Sequence, residues 1–382
     1  MKWSTFLGIL GIVGCGCLFL LANVAPARAD ELPKEVQQTV DKGLAWLAKQ
    51  QTKGGGNDGM WGANGNQYPV TMTALGGLAM LMDGSTIRDG KYADNIRRAA
   101  DWLMRRSMKG GGRDGLIGEV DNPTEATRYM YGHGFATLFL SCVYGDEENE
   151  ERREKLKDIL TRAVKYIGNA QSTQGGWYYT SAKDGHDQDE GSVTITQMQA
   201  LRAARNAGIP VPKAIVKKGY DYLKHSTTER GGVVYSLGRG GMRAPLGGER
   251  PALTAAAIAC LFSAGEYKDP LVKKWFKYCQ TAIPLNVNVR LGHDEYTHFY
   301  YSQSLYILGD DGWERLFGKT AAAERVTWSK YKGVMFDQLR RSQNGDGSWS
   351  SGGGFSVGPV YSTAIYCIIL QLEKGSLPIW QR

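Results

Sequence analysis

Gln171-Ser172-Thr173-Gln174-Gly175-Gly176-Trp177 closes a stretch in which Leu160, Ala163, Val164 and Ile167 stand at i, i+3, i+4 and i+7. That spacing puts four apolar side chains on one stripe of a helix, dry along one side and wet along the other. The glycine pair ends the helix and turns the chain. Gln at such a helix end is placed to bond orphan carbonyls, and Trp to pack under the glycine turn.

Outward from this stretch the same text recurs five more times. Related segments lie at Lys42-Gly43-Leu44-Ala45-Trp46, Ala99-Ala100-Asp101-Trp102-Leu103, Ala163-Val164-Lys165-Tyr166-Ile167, Lys218-Gly219-Tyr220-Asp221-Tyr222, Lys274-Trp275-Phe276-Lys277-Tyr278 and Lys332-Gly333-Val334-Met335-Phe336. Their aromatic anchors at 46, 102, 166, 222, 278 and 336 are spaced by 56, 64, 56, 56 and 58 residues. That period suits one helical hairpin with a long loop. Glycines mark the loops at 54–56, 110–112, 175–176, 231–232 and 352–354, whereas the fifth loop, 283–296, is a poor match. After each loop comes a second helix; Thr73–Met82, Ala255–Phe262 and Thr363–Leu370 carry almost no charge. Helices without a polar face must be enclosed on all sides, so these form an inner layer within a ring of amphipathic ones. Strand signals are absent. An open solenoid would need a polar cap at its end, yet the last inner helix is among the most apolar and lies near the C-terminus. Closure hides it. The expected fold is all-α: a single (α/α)6 toroid of six helix hairpins over residues 30–382.

Composition agrees with a globular chain: 382 residues, 42% hydrophobic and 22% charged, with 50 glycines but no Gly-X-Y period and only 12 prolines. Lys2, the apolar run Phe6–Leu21 and Ala27-Arg28-Ala29 read as a secretory signal peptide over residues 1–29. Export to the periplasm or medium is expected, with no stable membrane span after cleavage. Ile12-Val13-Gly14-Cys15 leaves lipid attachment at Cys15 as the minor alternative. Loss of Lys2 and Arg28 lowers the net charge from +8 to +6. The basic residues are scattered, without an arm or a basic-aromatic stripe, so nucleic acid is not an expected partner. Cys142, Cys260, Cys279 and Cys367 are far apart in apolar helical text and read as buried free thiols.

The Gln…Gly-x-Trp stretches at 171–177 and 343–349, with a stretched version from Gln51 to Trp61, resemble the repeats of squalene cyclases and protein prenyltransferase β subunits, as does Tyr131-Gly132-His133-Gly134-Phe135. The resemblance spans residues 30–382 and rests on structural motifs. It implies a central cavity for an apolar, isoprenoid-like or extended ligand. The cyclases start from a protonated aspartic acid in an Asp-x-Asp-Asp motif after a Gly-Gly-Trp turn. Here Asp187-Gln188-Asp189-Glu190 follows Gly175-Gly176-Trp177, so the resemblance puts Asp189 at the proton donor, with Asp187 and Glu190 tuning it. Two positions depart: Glu190 replaces the last Asp, and Gly191 stands where Thr is usual. The competing reading is that these acids cap a helix N-terminus. The chain is also one toroid where the family's cyclases use two, which argues against full triterpene cyclization. His298 resembles the prenyltransferase zinc histidine, but no Asp-x-Cys pair accompanies it, so no metal and no cofactor is expected.

Other signals are weaker. His293 and His298 in His293-Asp294-Glu295-Tyr296-Thr297-His298 are five apart, which separates them around a helix and spoils a zinc-protease pair. Gly354-Phe355-Ser356-Val357-Gly358 lacks the strand that a nucleophile elbow needs. A polysaccharide lyase on a similar barrel would draw on Arg239, Arg243 and Arg250. In a toroid all six inner helices start at one end, so six positive helix ends converge on one mouth. Asp187, Asp189, Glu190, Glu249, Arg250, His293, Asp294 and His298 lie in those loops or just inside. His133 and the tyrosines Tyr300 and Tyr301 are candidates for the cavity wall. The ligand should enter at the mouth. A non-catalytic scaffold that binds a protein of the cell envelope is the remaining alternative.

Overall fold

A computed structural model of the chain describes residues 31–238, 245–285, 291–319, 325–350 and 357–381. The segment 1–29 expected to be a signal peptide, with Cys15, the arginines Arg239 and Arg243, the glycines 352–354 and Ser356 lie outside the described residues. Six amphipathic helices are α1 (Lys34–Gln50), α3 (Ala93–Arg105), α6 (Glu150–Ala170), α8 (Lys213–His225), α10 (Pro270–Ala282) and α12 (Trp328–Ser342). Alternating with them are α2 (Pro69–Met82), α5 (Tyr129–Tyr144), α7 (Gly191–Asn206), α9 (Pro251–Ala264), α11 (Asp294–Phe317) and α13 (Pro359–Leu370). The short α4 (Pro123–Ala126) sits in the second loop. Every residue of α2 is buried, as a helix with no polar face requires.

Closure is direct: α2 packs on α5, α5 on α7, α7 on α9, α9 on α11, α11 on α13, and α13 back on α2. The seam is stitched by Gln371 Nε2 donating to the Ala79 carbonyl at 3.1 Å and by Lys374 paired with Asp83 at 2.8 Å. Beyond the seam the C-terminal residues run under the ring and reach α7. Trp380 is buried there, edge-on to Phe299 at 6.1 Å. The all-α, six-hairpin toroid is thus the observed architecture.

The recurring Gln, Gly and Trp each have a visible task. Gln171 Nε2 donates to the Gly175 carbonyl at 2.8 Å and to the Ile215 carbonyl of α8 at 3.0 Å, tying one outer helix to the next. Gln51 does the same toward Asn95 of α3, and Gln343 toward Thr39 of α1 across the seam. The Trp177 indole donates to the Ile167 carbonyl while its backbone N–H meets Thr194 of the inner helix, fastening the two layers. Trp61 and Trp349 repeat both bonds, to Leu47 and Thr73 and to Leu339 and Thr363. Gly175 has φ +91°, and a Cβ there would lie 2.4 Å from the Lys218 carbonyl oxygen. The same approach recurs in four other loops, always onto the following outer helix, and is missing at Gly292 of the fifth loop, which explains that loop's poor match. Gly175→Ala combines an unfavourable φ with a backbone clash, so chemical denaturation should show a loss of about 2 kcal/mol.

One feature departs from the sequence reading. A small antiparallel ribbon, β1 (Val234–Ser236) with β2 (Leu246–Glu249), stands in the loop before α9. Three or four residues make no hydrophobic alternation long enough to read as a strand. Among the described residues the four cysteines are unpaired; Cys260, Cys279 and Cys367 are buried, and burial raises their thiol pKa values. Among the described residues no helix is long and apolar enough to cross a membrane.

Candidate functional site

A cavity of about 780 Å³ opens where the inner helices begin. Its wall is drawn from the first turns of all six: Tyr68 and Met72 at α2, Tyr131 and Phe135 at α5, Glu190 and Ser192 at α7, Arg250 and Leu253 at α9, Glu295 and Tyr296 at α11, and Val357 and Tyr361 at α13. The loops add Arg128, Tyr179, Tyr235, Glu249 and His293. Most of the wall area is apolar, from tyrosine and phenylalanine rings together with aliphatic side chains such as Met72, Leu253 and Val357.

Glu190 is the N-cap of α7. One carboxylate oxygen accepts from the Ser192 N–H at 3.0 Å; the other accepts from the Val193 N–H at 3.0 Å and the Ser192 hydroxyl at 2.5 Å. The capping reading of this acid therefore applies, and the side chain faces the cavity as well. It is only 1% exposed, and burial raises its pKa against these hydrogen bonds. The Tyr131 hydroxyl is hydrogen-bonded to the Ser192 hydroxyl, which extends the chain from Glu190 to an aromatic residue of the wall. Beside it the Tyr179 and Tyr235 hydroxyls pair at 2.6 Å, and the Arg128 guanidinium stacks on the Tyr179 ring at 4.6 Å.

Of the residues named from sequence, Glu190, Glu249, Arg250 and His293 meet on this cavity. The others are placed elsewhere. Asp189 is buried behind the wall, where one carboxylate oxygen accepts from the Leu237 N–H at 2.7 Å and the other lies toward Tyr222 and Ser236. Asp187 holds the loop by accepting from the Thr173 N–H and hydroxyl, at 2.8 and 2.6 Å. Asp294 accepts from the Leu291 N–H at 2.8 Å, organising the start of α11. His133 is fully buried between layers; its Nδ1 accepts from the Ile117 N–H at 3.0 Å, and burial lowers its pKa to about 4. His298 turns outward, bonded through Nδ1 to the Tyr331 hydroxyl at 2.9 Å. Tyr300 and Tyr301 are buried below and behind the cavity, Tyr300 against Tyr296 and Tyr301 edge-on to Tyr331.

Asp189 and Glu190 part company because the backbone between the Gly-Gly-Trp turn and α7 is extended: Glu190 has φ −155° and ψ 134° and bridges Trp177. Successive side chains on extended backbone point to opposite faces. Sequence reasoning missed Tyr131, Tyr179, Tyr235, Tyr296, Tyr361, Arg128 and Glu295. The first-turn residues share a signal: each stands within a turn of an inner-helix start. Among the described residues no group of three His, Cys, Asp or Glu is arranged to hold a metal ion.

Glu249 belongs to a separate rim contact, paired with Arg230 at 2.7 Å and accepting from Thr228. Glu295 accepts from the Ser362 hydroxyl at 3.2 Å, joining α11 to α13 across the wall.

No protein-family model matches this sequence, and no curated protein matches it. Solved structures share its fold. An inactive variant of the α-1,6-mannanase GH76A of a Salegentibacter species, in complex with α-1,6-mannotriose, superposes with a TM-score of 0.61 at 8% identity, covering 89% of this chain and 99% of that one. The GH76 α-mannanase of Bacteroides thetaiotaomicron gives 0.62 at 11% identity over 88% and 95%. The type II terpene cyclase MstE from Scytonema gives 0.53 at 12% identity over 90% and 100%. At such identities the likeness is one of α/α-toroid fold.

Proposed function

We propose that this is an exported α/α-toroid protein whose central cavity binds an extended ligand inserted through the mouth, without full triterpene cyclase activity. One observation carries the reading: the first turns of all six inner helices converge on a single cavity with a largely apolar, tyrosine-bearing wall and a few polar groups. Such a concave, mostly apolar site with sparse polar groups is the ordinary form of a small-molecule site. Two chemistries seen in toroids of this fold support it. A variant of MstE was captured with geranylgeranyl dihydroxybenzoate, and the mannanase variant with mannotriose. In this reading the polar anchor is Glu190, which faces the cavity, and not Asp189, which stands behind its wall.

Solvent extraction of the purified protein with mass spectrometry of what co-purifies tests the proposal. Thermal-shift titration with squalene, geranylgeranyl diphosphate and α-1,6-mannotriose complements it. A stoichiometric co-purifying molecule, or a saturable rise in unfolding temperature with one probe, is the expected result. A protein that extracts clean and responds to no probe would put the function on the outer wall, as a scaffold for an envelope partner.

A further inference from the structure

Resting on the cavity reading above, we infer that the ligand carries hydroxyl groups, and that Tyr131 selects it by offering a hydrogen-bond acceptor and no donor. Proton counting gives the direction. The Ser192 hydroxyl has one proton and two partners, the Glu190 carboxylate at 2.5 Å and the Tyr131 hydroxyl. Both oxygens of Glu190 already accept backbone N–H bonds, from Ser192 and Val193. Burial raises the Glu190 pKa, but the geometry has the Ser192 hydroxyl donating to a carboxyl oxygen that also takes the Val193 N–H, and a carboxylate can only accept. Ser192 must then donate to Glu190 and accept from Tyr131. The single phenol proton is spent inward, and the tyrosine oxygen keeps only lone pairs for whatever fills the cavity.

The wall elsewhere mixes the two polarities: the buried Tyr296 hydroxyl has no partner and can donate. Glu295 faces the cavity beside Tyr296 and is an acceptor when ionised. The donors Arg128 and Arg250 are exposed at the rim. A hydrocarbon seated against Tyr131, Glu190 and Glu295 would strip water from acceptors and return nothing. A molecule with hydroxyls on its edge and C–H groups on its faces satisfies the acceptors and lies against the tyrosine rings. Neutral oligosaccharides have that chemistry; squalene does not.

The probes are α-1,6-mannotetraose, cellotetraose and maltotetraose, each free and fully O-methylated, with squalene as the hydrocarbon, titrated into the full protein and followed by calorimetry. At least one free tetrasaccharide should bind, and its methylated form, which has the ring system but no donors, should bind at least about tenfold more weakly. Tyr131→Phe keeps the ring and should weaken the free sugar by about tenfold with little change in unfolding temperature. Ser192→Ala should act in the other sense. With its inner partner gone, Tyr131 can turn its proton to the cavity, and discrimination against the methylated sugar should shrink. Equal binding of free and methylated sugar, or a discrimination unchanged in both variants, overturns the inference. Binding of squalene alone overturns it while leaving the cavity reading intact; binding of no probe overturns both.

Discussion

Trp177→Ala is expected to lower the unfolding free energy by about 4 kcal/mol, the cost of emptying a fully buried tryptophan site. Its indole is 0% exposed. The substitution leaves a cavity between the layers and also removes the bond to the Ile167 carbonyl. Its backbone N–H bond to Thr194 survives, so the loss should come from the side chain alone. Denaturant unfolding checks this. A loss below about 1 kcal/mol would mean that the layers are held by the inner-ring contacts and that the repeated Trp is dispensable. Thr194→Val offers a milder control on the same junction.

The second large effect is a pH profile that one substitution reverses. Glu125, in α4, is 1% exposed and accepts from the Val70 N–H at 3.0 Å, capping α2 from a neighbouring loop. Burial raises its pKa from 4.5 to about 8. The folded state therefore holds this proton more tightly than the unfolded one. The resulting stability is fully present below pH 4.5 and is lost as pH rises through about 8. His133 works oppositely: lowered from 6.5 to about 4, it contributes above pH 6.5 and loses that contribution as pH falls through about 4. His298 is shifted in the same direction.

Between pH 4.5 and 6.5 the slopes of Glu125 and His133 cancel, leaving the rising slope of His298, which is likewise lowered to about 4, opposed by Glu190 and Asp189. The wild type should thus gain at most roughly 3 kcal/mol across that window and then lose roughly 2 kcal/mol toward pH 8 as Glu125 gives up its proton. Glu125→Gln keeps a neutral acceptor for the Val70 N–H and removes the titration. Its profile should be flatter on the alkaline side, where Glu190 and Asp189 remain shifted in the same direction as Glu125. On the acid side it should fall by roughly 3 kcal/mol more than the wild type from pH 6.5 to 4, because the two histidines are then unopposed by Glu125. Denaturant midpoints for both proteins from pH 4 to 9 give the answer. Parallel curves would show that Glu125 is not the group that titrates.

The ring was legible in sequence because its parts are local. The anchors sit one hairpin apart, the Gln and Trp of each repeat bond within a few residues of their own helix end, and the seam repeats the same bonds between Gln343 and Thr39. The converging inner-helix starts follow from the fold without any side-chain information. The occupants of the wall were less legible, since direction is set by backbone geometry that spacing does not encode. Asp189 and Glu190 are neighbours in sequence and face opposite sides of one extended segment. His298 stands three residues after Glu295, yet it meets Tyr331 of the outer layer while Glu295 lines the cavity. Tyr179 and Tyr235 approach from the loops before α7 and α9, 56 residues apart, and meet because those two inner helices pack side by side.

The C-terminal segment that tucks Trp380 against Phe299 beneath the ring makes the toroid a cup and not a tube. A vessel with a blind bottom is filled and emptied through the same opening. A long polymer cannot be threaded through it or gripped in mid-chain along the axis; only a free end can descend. For the ligand proposed above, arrival and departure would share one doorway, so exchange would be single file, a new guest waiting until the old one has left.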